Sequence, residues 1–218
     1  MARALLMIVI VLALAACGRS HDGGAEVDGG GDGDDGAPGA DEDAAAGGLR
    51  VFVSSQQYPA NLVEAGGGTD AHESADALCQ LLGDAAQLGG TWRAWLSTTE
   101  VDAIDHIEGD GPWSRLDGTL LFPNHASLGV TPEAAILMDE NGELPDPFYE
   151  AWTGTAVGGR VVPLDTLDST TCLDWTSTID SDEVKGQVGD IDGADSRWTD
   201  LADGFCSPFD RRLYCFEQ

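Results

Sequence analysis

The pattern of apolar and polar residues changes period near the start of the folded part of the chain. In the segment "RVFVSS", Val51 and Val53 point to one side of an extended backbone, which predicts a first strand. The spacing becomes helical after Asp70, which has the position of an N-cap, with Glu73 three residues later as in a capping box. We expect Cys79 to face the core from this helix. Its apolar face consists of Ala71, Ala75, Leu78, Cys79 and Leu82.

Shorter alternating runs, separated by turn residues, follow this helix. "GTWRAWLS" alternates as a strand does, and Ser97 with Glu100 has the spacing of a second capping box, which predicts a short helix through Ile107. Further strands are predicted at "GTLLF", "AILM", "YEAWTG", "TCLDWTS" and "RRLYCFE", with a hairpin turn at "DENGE". Two early helices and many short, mostly antiparallel strands indicate a single α+β domain at residues 49–218.

An uninterrupted apolar run occupies residues 4–16. It is shorter than the ~20 residues that a membrane-spanning helix needs, and it has the length of a signal-peptide core. The run ends in "LAAC", which resembles the lipobox of bacterial lipoproteins. The resemblance implies a signal at residues 1–17, lipid attachment at Cys17 and, because Gly18 rather than aspartate follows, sorting to the outer membrane. We therefore expect an exported, lipid-anchored protein that is either periplasmic or exposed at the cell surface.

Residues 18–48 carry nine acidic residues, one arginine and almost no large apolar side chain. Such a segment cannot bury enough surface to offset the entropy of ordering, so we expect a disordered Gly/Asp-rich tether. The whole chain has 39 acidic and 10 basic residues and a net charge of −29. Setting aside the nine tether acids, Arg3 and Arg19 leaves 30 acids and 8 bases, or −22, on residues 49–218. This charge argues against nucleic acid and heparin-like polyanions as partners.

Four cysteines remain once Cys17 is set aside. An even number in an exported chain indicates disulfides, and four cysteines allow three connectivities that the spacing alone does not separate. Zinc is the competing use, but the chain has no Cys-x-x-Cys pair and its histidines lie far from the cysteines in sequence. We therefore expect two disulfides and no metal at Cys79, Cys172, Cys206 and Cys215.

Six short motifs occur in order between about residue 50 and residue 218: "GGGTDAHESADALCQ", "GTWRAWLS", "DGTLLFP", "AWTGTAVGGR", "TCLDWTS" and a terminal Cys-x8-Cys. Together they closely resemble endostatin, the collagen-derived C-type-lectin-like domain, and its bacterial lipoprotein relatives of unassigned function. The resemblance implies a C-type-lectin-like fold with two nested disulfides. It pairs Cys79 with Cys215, and Cys172 with Cys206, and it brings the last strand beside the first.

Calcium is the one cofactor that the sequence leaves open. Where sugar-binding C-type lectins hold calcium, this chain has Pro163 without flanking oxygen ligands, and only Asp200 in the second triplet, so a calcium site of that kind is not expected. The stretch "DSDEVKGQVGDIDGADSRWTD" clusters acids in what reads as one loop region, for which we favour a solvated loop over a structural calcium site. These acids are Asp180, Asp182, Glu183, Asp190, Asp192, Asp195 and Asp200.

Catalytic motifs are missing from the sequence: it has no G-x-S-x-G, no H-E-x-x-H and no phosphate-binding glycine loop. We therefore expect a non-catalytic ligand-binding or adhesion domain, anchored to the membrane by its lipid, with an unknown protein or glycan as ligand. Two alternatives are a calcium-dependent carbohydrate-binding module and a structural envelope lipoprotein. The ligand-binding residues are unknown at this point, but loops at residues 99–165 and 176–200, where core motifs are sparsest, are the expected location.

Overall fold

A computed structural model describes residues 48–146 and 149–218. The expected signal peptide, the lipidated Cys17 and the tether up to residue 47 lie outside these ranges. Within them, no helix combines the length and the apolar character needed to cross a membrane. The described residues form a mixed α+β domain, as the sequence indicates.

The larger sheet has five strands in the order β2-β8-β1-β3-β4. β8 runs antiparallel to both β1 and β2, with Phe52 opposite Cys215, and β1 with β3 is the one parallel strand pair in the described ranges. The first and last strands of the domain are therefore neighbours. Its strands are β1 (Leu49–Val53), β2 (Trp92–Ala94), β3 (Trp113–Arg115), β4 (Leu120–Phe122) and β8 (Tyr214–Glu217).

A second, antiparallel sheet has the order β5-β6-β7, formed by β5 (Glu150–Trp152), β6 (Lys185–Asp190) and β7 (Ala202–Phe205). β6 runs through the acidic stretch that reads as one loop in the sequence, so that interpretation is wrong. At about 3.3 Å per residue, this strand separates the acids at its two ends by roughly 15–20 Å. The strand forms because its interior residues are buried between β5 and β7, which the local acidic composition does not reveal.

Three helices lie in the first half of the domain: α1 (Leu62–Gly66), α2 (Ala71–Ala85) and α3 (Ala103–His106). α2 is the predicted helix: the Asp70 carboxylate accepts a hydrogen bond from the Glu73 amide at 2.9 Å, and Cys79 is fully buried. Glu73 does not return the bond to Asp70, because its carboxylate accepts from the amide and hydroxyl of Thr69 at 2.7 Å. α1, which precedes it, is an addition to the two helices that the sequence predicts.

The predicted capping box at Ser97 is wrong. α3 begins only at Ala103, after Asp102, and Ser97 is fully buried instead of standing at a helix end. Its hydroxyl lies 2.8 Å from the Thr155 hydroxyl and accepts from the Ala103 amide at 2.9 Å. The segment "AILM" is also not a strand, although a turn at residues 139–143 is present. Both segments are held by tertiary hydrogen bonds rather than by local pairing.

The segment "TCLDWTS" forms a left-handed helical turn rather than the predicted strand. Four consecutive residues, Cys172, Leu173, Asp174 and Trp175, have φ between 48° and 59°. For residues with a Cβ atom this conformation costs roughly 1–2 kcal/mol each. Tertiary bonds offset that cost: the Trp175 indole donates to the Ser97 carbonyl at 2.8 Å, and the Asp174 carboxylate accepts from the Thr99 amide at 2.8 Å.

The core consists of two clusters of buried residues, one on α2 and the smaller sheet and one on the opposite face of the larger sheet. All six tryptophans are fully buried, and each ring removes a large apolar area from water. Two disulfides join distant segments, Cys79 to Cys215 and Cys172 to Cys206. These are the pairs that the resemblance to endostatin implies, and they tie α2 to the last strand and the left-handed turn to the end of β7.

Candidate functional site

An open cleft of about 750 Å³ lies where the smaller sheet meets the segment that precedes β8. Its volume is within the range of ligand-binding sites. We refer to it as the aromatic–acidic cleft, because its walls combine exposed aromatic rings with several carboxylates. It is lined by Gln57, Tyr149, Glu150, Asp190, Asp192, Leu201, Pro208, Phe209, Asp210 and Arg211.

Strand pairing places the first wall of the cleft. β5 and β6 are antiparallel, and their register sets Glu150 opposite Asp190. The Ile191 amide donates to the Tyr149 carbonyl at 2.8 Å, which extends the pairing by one residue beyond the strands. Since side chains stand roughly perpendicular to a sheet, the two acids and the tyrosine are carried by rigid backbone rather than by a free loop.

Arg211 forms the second wall. Its side chain is almost fully buried, and its Nε donates to the Glu150 carboxylate at 2.7 Å. The guanidinium lies over the Trp152 ring, with its carbon 4.3 Å from the ring centroid, and it also donates to the Phe205 carbonyl at 3.2 Å. These contacts hold residues 208–211 against the sheet.

The rim of the cleft exposes two aromatic rings and two acids. Tyr149 is 48% exposed and Phe209 55% exposed, and Asp192 and Asp210 are exposed as well. Within residues 48–146 and 149–218, neither acid's carboxylate has a hydrogen-bond partner or an ion pair within 4 Å. Exposed aromatic side chains beside unneutralised carboxylates are typical of surfaces that contact ligands.

A buried tyrosine lies close to this site. Tyr214 is fully buried, and its hydroxyl has no hydrogen-bond partner in the described part of the chain. Burial, and secondarily the negative charge of Asp190, raises the pKa of Tyr214 well above its usual value. The phenol therefore stays protonated at physiological pH and retains an unused donor.

The acids singled out in the sequence do not come together as a metal site. Among the described residues, no three His, Cys, Asp or Glu side chains are placed to share a metal ion. Asp195 pairs with Arg197 at 3.1 Å, and Asp200 accepts from the Gln187 amide at 2.6 Å. Asp190 and Asp192 belong to the cleft, whereas Asp182 lies at the other end of β6 beside Lys185.

A smaller cleft of about 340 Å³ lies between the start of α2 and the left-handed turn. His72 and Asp174 contribute to its lining. Behind it, the His72 and His106 rings stack with their centroids 3.9 Å apart, and His106 Nε2 lies 3.0 Å from the Asp76 carboxylate. Its lining has no exposed aromatic ring, so we consider the aromatic–acidic cleft the stronger candidate.

The aromatic–acidic cleft overlaps only in part with the loops in which function is expected from the sequence. Tyr149 and Glu150 lie within residues 99–165, and Asp190 and Asp192 lie within residues 176–200. Gln57, Leu201 and residues 208–211 line the cleft but lie outside these ranges. One signal in the sequence could have indicated this segment. In "SPFDRR", Phe209 stands between proline and aspartate in an otherwise polar stretch, a pattern typical of an exposed aromatic residue on a turn.

No protein-family model matches this chain, and a search of curated protein sequences finds no match. The function must therefore be inferred from the chemistry of the candidate site. That chemistry is a concave surface with exposed rings and excess negative charge.

Proposed function

We propose that this chain is a lipid-anchored envelope protein whose domain binds a ligand, without catalysis, in the aromatic–acidic cleft. The cleft carries the proposal, since it combines a ligand-sized volume with exposed Tyr149 and Phe209. Covering these exposed apolar rings with a ligand removes them from water, which favours binding.

The proposed anchoring rests on the sequence. The apolar run at residues 4–16 and the "LAAC" segment that ends at Cys17 support lipid attachment there. The acidic segment at residues 18–48 supports a tether that holds the domain away from the membrane surface. Outer-membrane sorting follows from Gly18, and either face of that membrane is compatible with the proposal.

A C-type-lectin-like fold belongs to the same proposal. Three features support it: the antiparallel pairing of β1 with β8, the nested connectivity of the two disulfides, and the small second sheet beside the larger one. Such a scaffold closes on itself and presents its irregular segments on the outside. A rigid frame of this kind suits a binding domain because little ordering entropy is lost when ligand binds.

The proposed lack of catalysis rests on the lining of the cleft. None of its described lining residues is a serine, threonine, cysteine, lysine or histidine, which are the usual nucleophiles and bases. The one cation, Arg211, is tied to Glu150 at 2.7 Å. Carboxylates and the Tyr149 hydroxyl are the remaining reactive groups, so sugar hydrolysis is the turnover to check.

A fragment screen tests the proposal. The full chain, purified with its disulfides intact, would be titrated with small amines, neutral sugars and carboxylic acids, and binding would be followed by saturation-transfer NMR. We expect the hits to be lost in the double variant Tyr149→Ala with Phe209→Ala. The matched control is Val157→Ala with Leu164→Ala, which removes apolar side chains of similar exposure elsewhere on the surface.

Each other outcome points to one of the alternatives. Binding of sugars that disappears with chelator would favour the calcium-dependent carbohydrate-binding module. If no compound bound, or if binding were unchanged in Tyr149→Ala with Phe209→Ala, the cleft would not be a ligand site and a structural envelope protein would be favoured. Release of product from an oligosaccharide, lost in Glu150→Gln, would overturn the non-catalytic assignment.

A further inference from the structure

We infer that the aromatic–acidic cleft binds a basic side chain, lysine or arginine, presented by a protein partner. This inference rests on the proposed function, because it names the chemistry of the ligand at the same site. It draws on the charge of the cleft, on its exposed rings and on two cations of the chain itself that are bound in the same way.

The cleft has more negative than positive charge. Four carboxylates, on Glu150, Asp190, Asp192 and Asp210, face one guanidinium, on Arg211. The Glu150–Arg211 pair is internally neutral, and Asp190 has Arg197 at 3.7 Å. Asp192 and Asp210 have no ion pair within 4 Å among the described residues, although Arg197 lies near enough to Asp192 for a longer-range attraction. A cation is therefore attracted to the rim, and an anion is repelled.

The neighbouring sheet already binds two of its own cations between a ring and a carboxylate. The Arg211 guanidinium lies 4.3 Å from the Trp152 ring centroid and 2.7 Å from Glu150. The Lys185 ammonium lies 3.1 Å from the Phe205 ring centroid and 3.5 Å from Asp182. Aromatic faces attract cations through their quadrupole, and a nearby carboxylate adds to that attraction.

The rim offers the same pair of groups with no cation in place. Tyr149 and Phe209 are both about half exposed, and in the described ranges no arginine or lysine lies over either ring. Asp210 follows Phe209 directly and is exposed with it. Lysine and arginine match this surface because each has an apolar stem for the ring and a charged head for the acid.

A protein partner fits better than a free small cation. The domain has a net charge of −22 after the 9 acids, Arg3 and Arg19 outside it are subtracted from the total, so its field attracts basic surfaces over long distances and speeds their association. The rings and the unpaired acids lie on the exposed rim, where a side chain projecting from another protein can reach them. A volume of about 750 Å³ also leaves room for flanking backbone.

The test uses the full chain and four immobilised peptides of equal length, in which glycine alternates with lysine, arginine, norleucine or glutamate. Binding would be measured by surface plasmon resonance at low and at physiological salt. We expect the lysine and arginine peptides to bind, and the norleucine and glutamate peptides not to. Asp192→Asn with Asp210→Asn should weaken binding about fivefold or more, and Phe209→Leu about threefold, because leucine keeps the apolar contact but not the ring.

A charge-matched control separates a site from general attraction. Asp165→Asn with Asp180→Asn changes the net charge by the same amount at two exposed acids outside the cleft. We expect binding to be nearly unchanged in this control. Equal weakening in both double variants would show that the acidic domain attracts polycations without a site, and the inference would be wrong.

Two further outcomes are decisive. If N-acetyl-lysine amide bound as tightly as the lysine peptide, flanking backbone would add nothing to binding, and the preference for a protein partner over a free small cation would be wrong. If neutral sugars occupied the cleft and no basic peptide bound, this inference would fail while the proposed function stood. If nothing bound in the cleft, both would fail together.

Discussion

The imidazole rings of His72 and His106 lie parallel, with their centroids 3.9 Å apart and an interplanar angle of 20°. His72 Nε2 lies 2.8 Å from the Leu96 carbonyl, so that nitrogen carries the proton. His106 Nε2 lies 3.0 Å from Asp76. The contact joins α2 to α3 and holds the His72 ring in a largely buried position against His106.

Stability should therefore fall in acid. Burial, and secondarily His106, lowers the pKa of His72, although the Leu96 carbonyl, Asp76 and Asp70 oppose this shift. The unfolded chain takes up the proton first as the pH falls through about 6.5, so the contribution of neutral His72 is complete above that pH and is lost progressively below it. We expect His72→Gln to show a smaller loss than the wild type between pH 7.5 and pH 5, measured as the free energy of unfolding in urea. Equal losses would contradict this assignment.

The two disulfides should contribute unequally. They close loops of 136 and 34 residues, which in the chain-entropy model corresponds to about 5 and about 4 kcal/mol as upper estimates. We expect Cys79→Ala with Cys215→Ala to lower the free energy of unfolding more than Cys172→Ala with Cys206→Ala. Urea titrations of the two double variants measure this order, and a reversed order would mean that the second disulfide acts mainly on the left-handed turn.

A glycine at position 173 should remove backbone strain from the left-handed turn. Leu173 has φ of 57° and is 42% exposed, so its side chain adds little to the core. Leu173→Gly removes a cost of about 1–2 kcal/mol and adds about 0.5–1 kcal/mol of unfolded-state entropy. Both Leu173→Gly and Leu173→Ala lose the covered part of the side chain, so we expect the glycine variant to be more stable than the alanine variant by about 0.5–1 kcal/mol. Leu173→Ala keeps the Cβ atom and is the control, for which thermal and urea unfolding should show no gain. A glycine variant no more stable than the alanine variant would refute this account.

Arg50, near the start of β1, and Glu217, the last residue of β8, form a bidentate ion pair that joins these two neighbouring strands. Nε and Nη2 of Arg50 donate to the two carboxylate oxygens at 2.7 and 2.6 Å, and the Glu217 side chain is only 13% exposed. We expect a coupling energy of about 1–2 kcal/mol in a double-mutant cycle with alanine, above the median for surface pairs. The exposed pair Arg197 and Asp195 is the control, for which we expect a clearly smaller coupling because water screens both charges. Similar couplings for the two pairs would show that geometry and burial add nothing here.

Elements with a strong local pattern could be predicted. β1, α2 and β8 are present at the expected positions, because Val51 and Val53 alternate, Asp70 caps a helix with an apolar face, and "RRLYCFE" alternates into the last strand. Each of these patterns depends only on residues within a few positions of one another. An even number of cysteines, in a chain that we expect to be exported, likewise indicated disulfides.

The errors occur where tertiary contacts outweigh local preference. "TCLDWTS" has residues that favour strands, but the bond from Cys172 to Cys206 and the hydrogen bond from Trp175 to Ser97 hold it in a left-handed turn. Ser97 looked like a helix cap because an acid follows at the right spacing, yet its hydroxyl is needed inside the core. In both cases the deciding partners are many residues away.

The sequence by itself determined the mixed α+β class, the strong negative charge and the positions of β1, α2 and β8, and it predicts export and lipidation. Only the tertiary structure decided the cleft, because Gln57, Tyr149, Asp190 and Phe209 meet through the pairing of β5 with β6 and the return of the chain before β8. Local patterns arise from interactions between near neighbours, and a sequence displays these directly. A concave surface arises when distant segments close loops against one another, and the free energy of that closure depends on the packing of the whole domain.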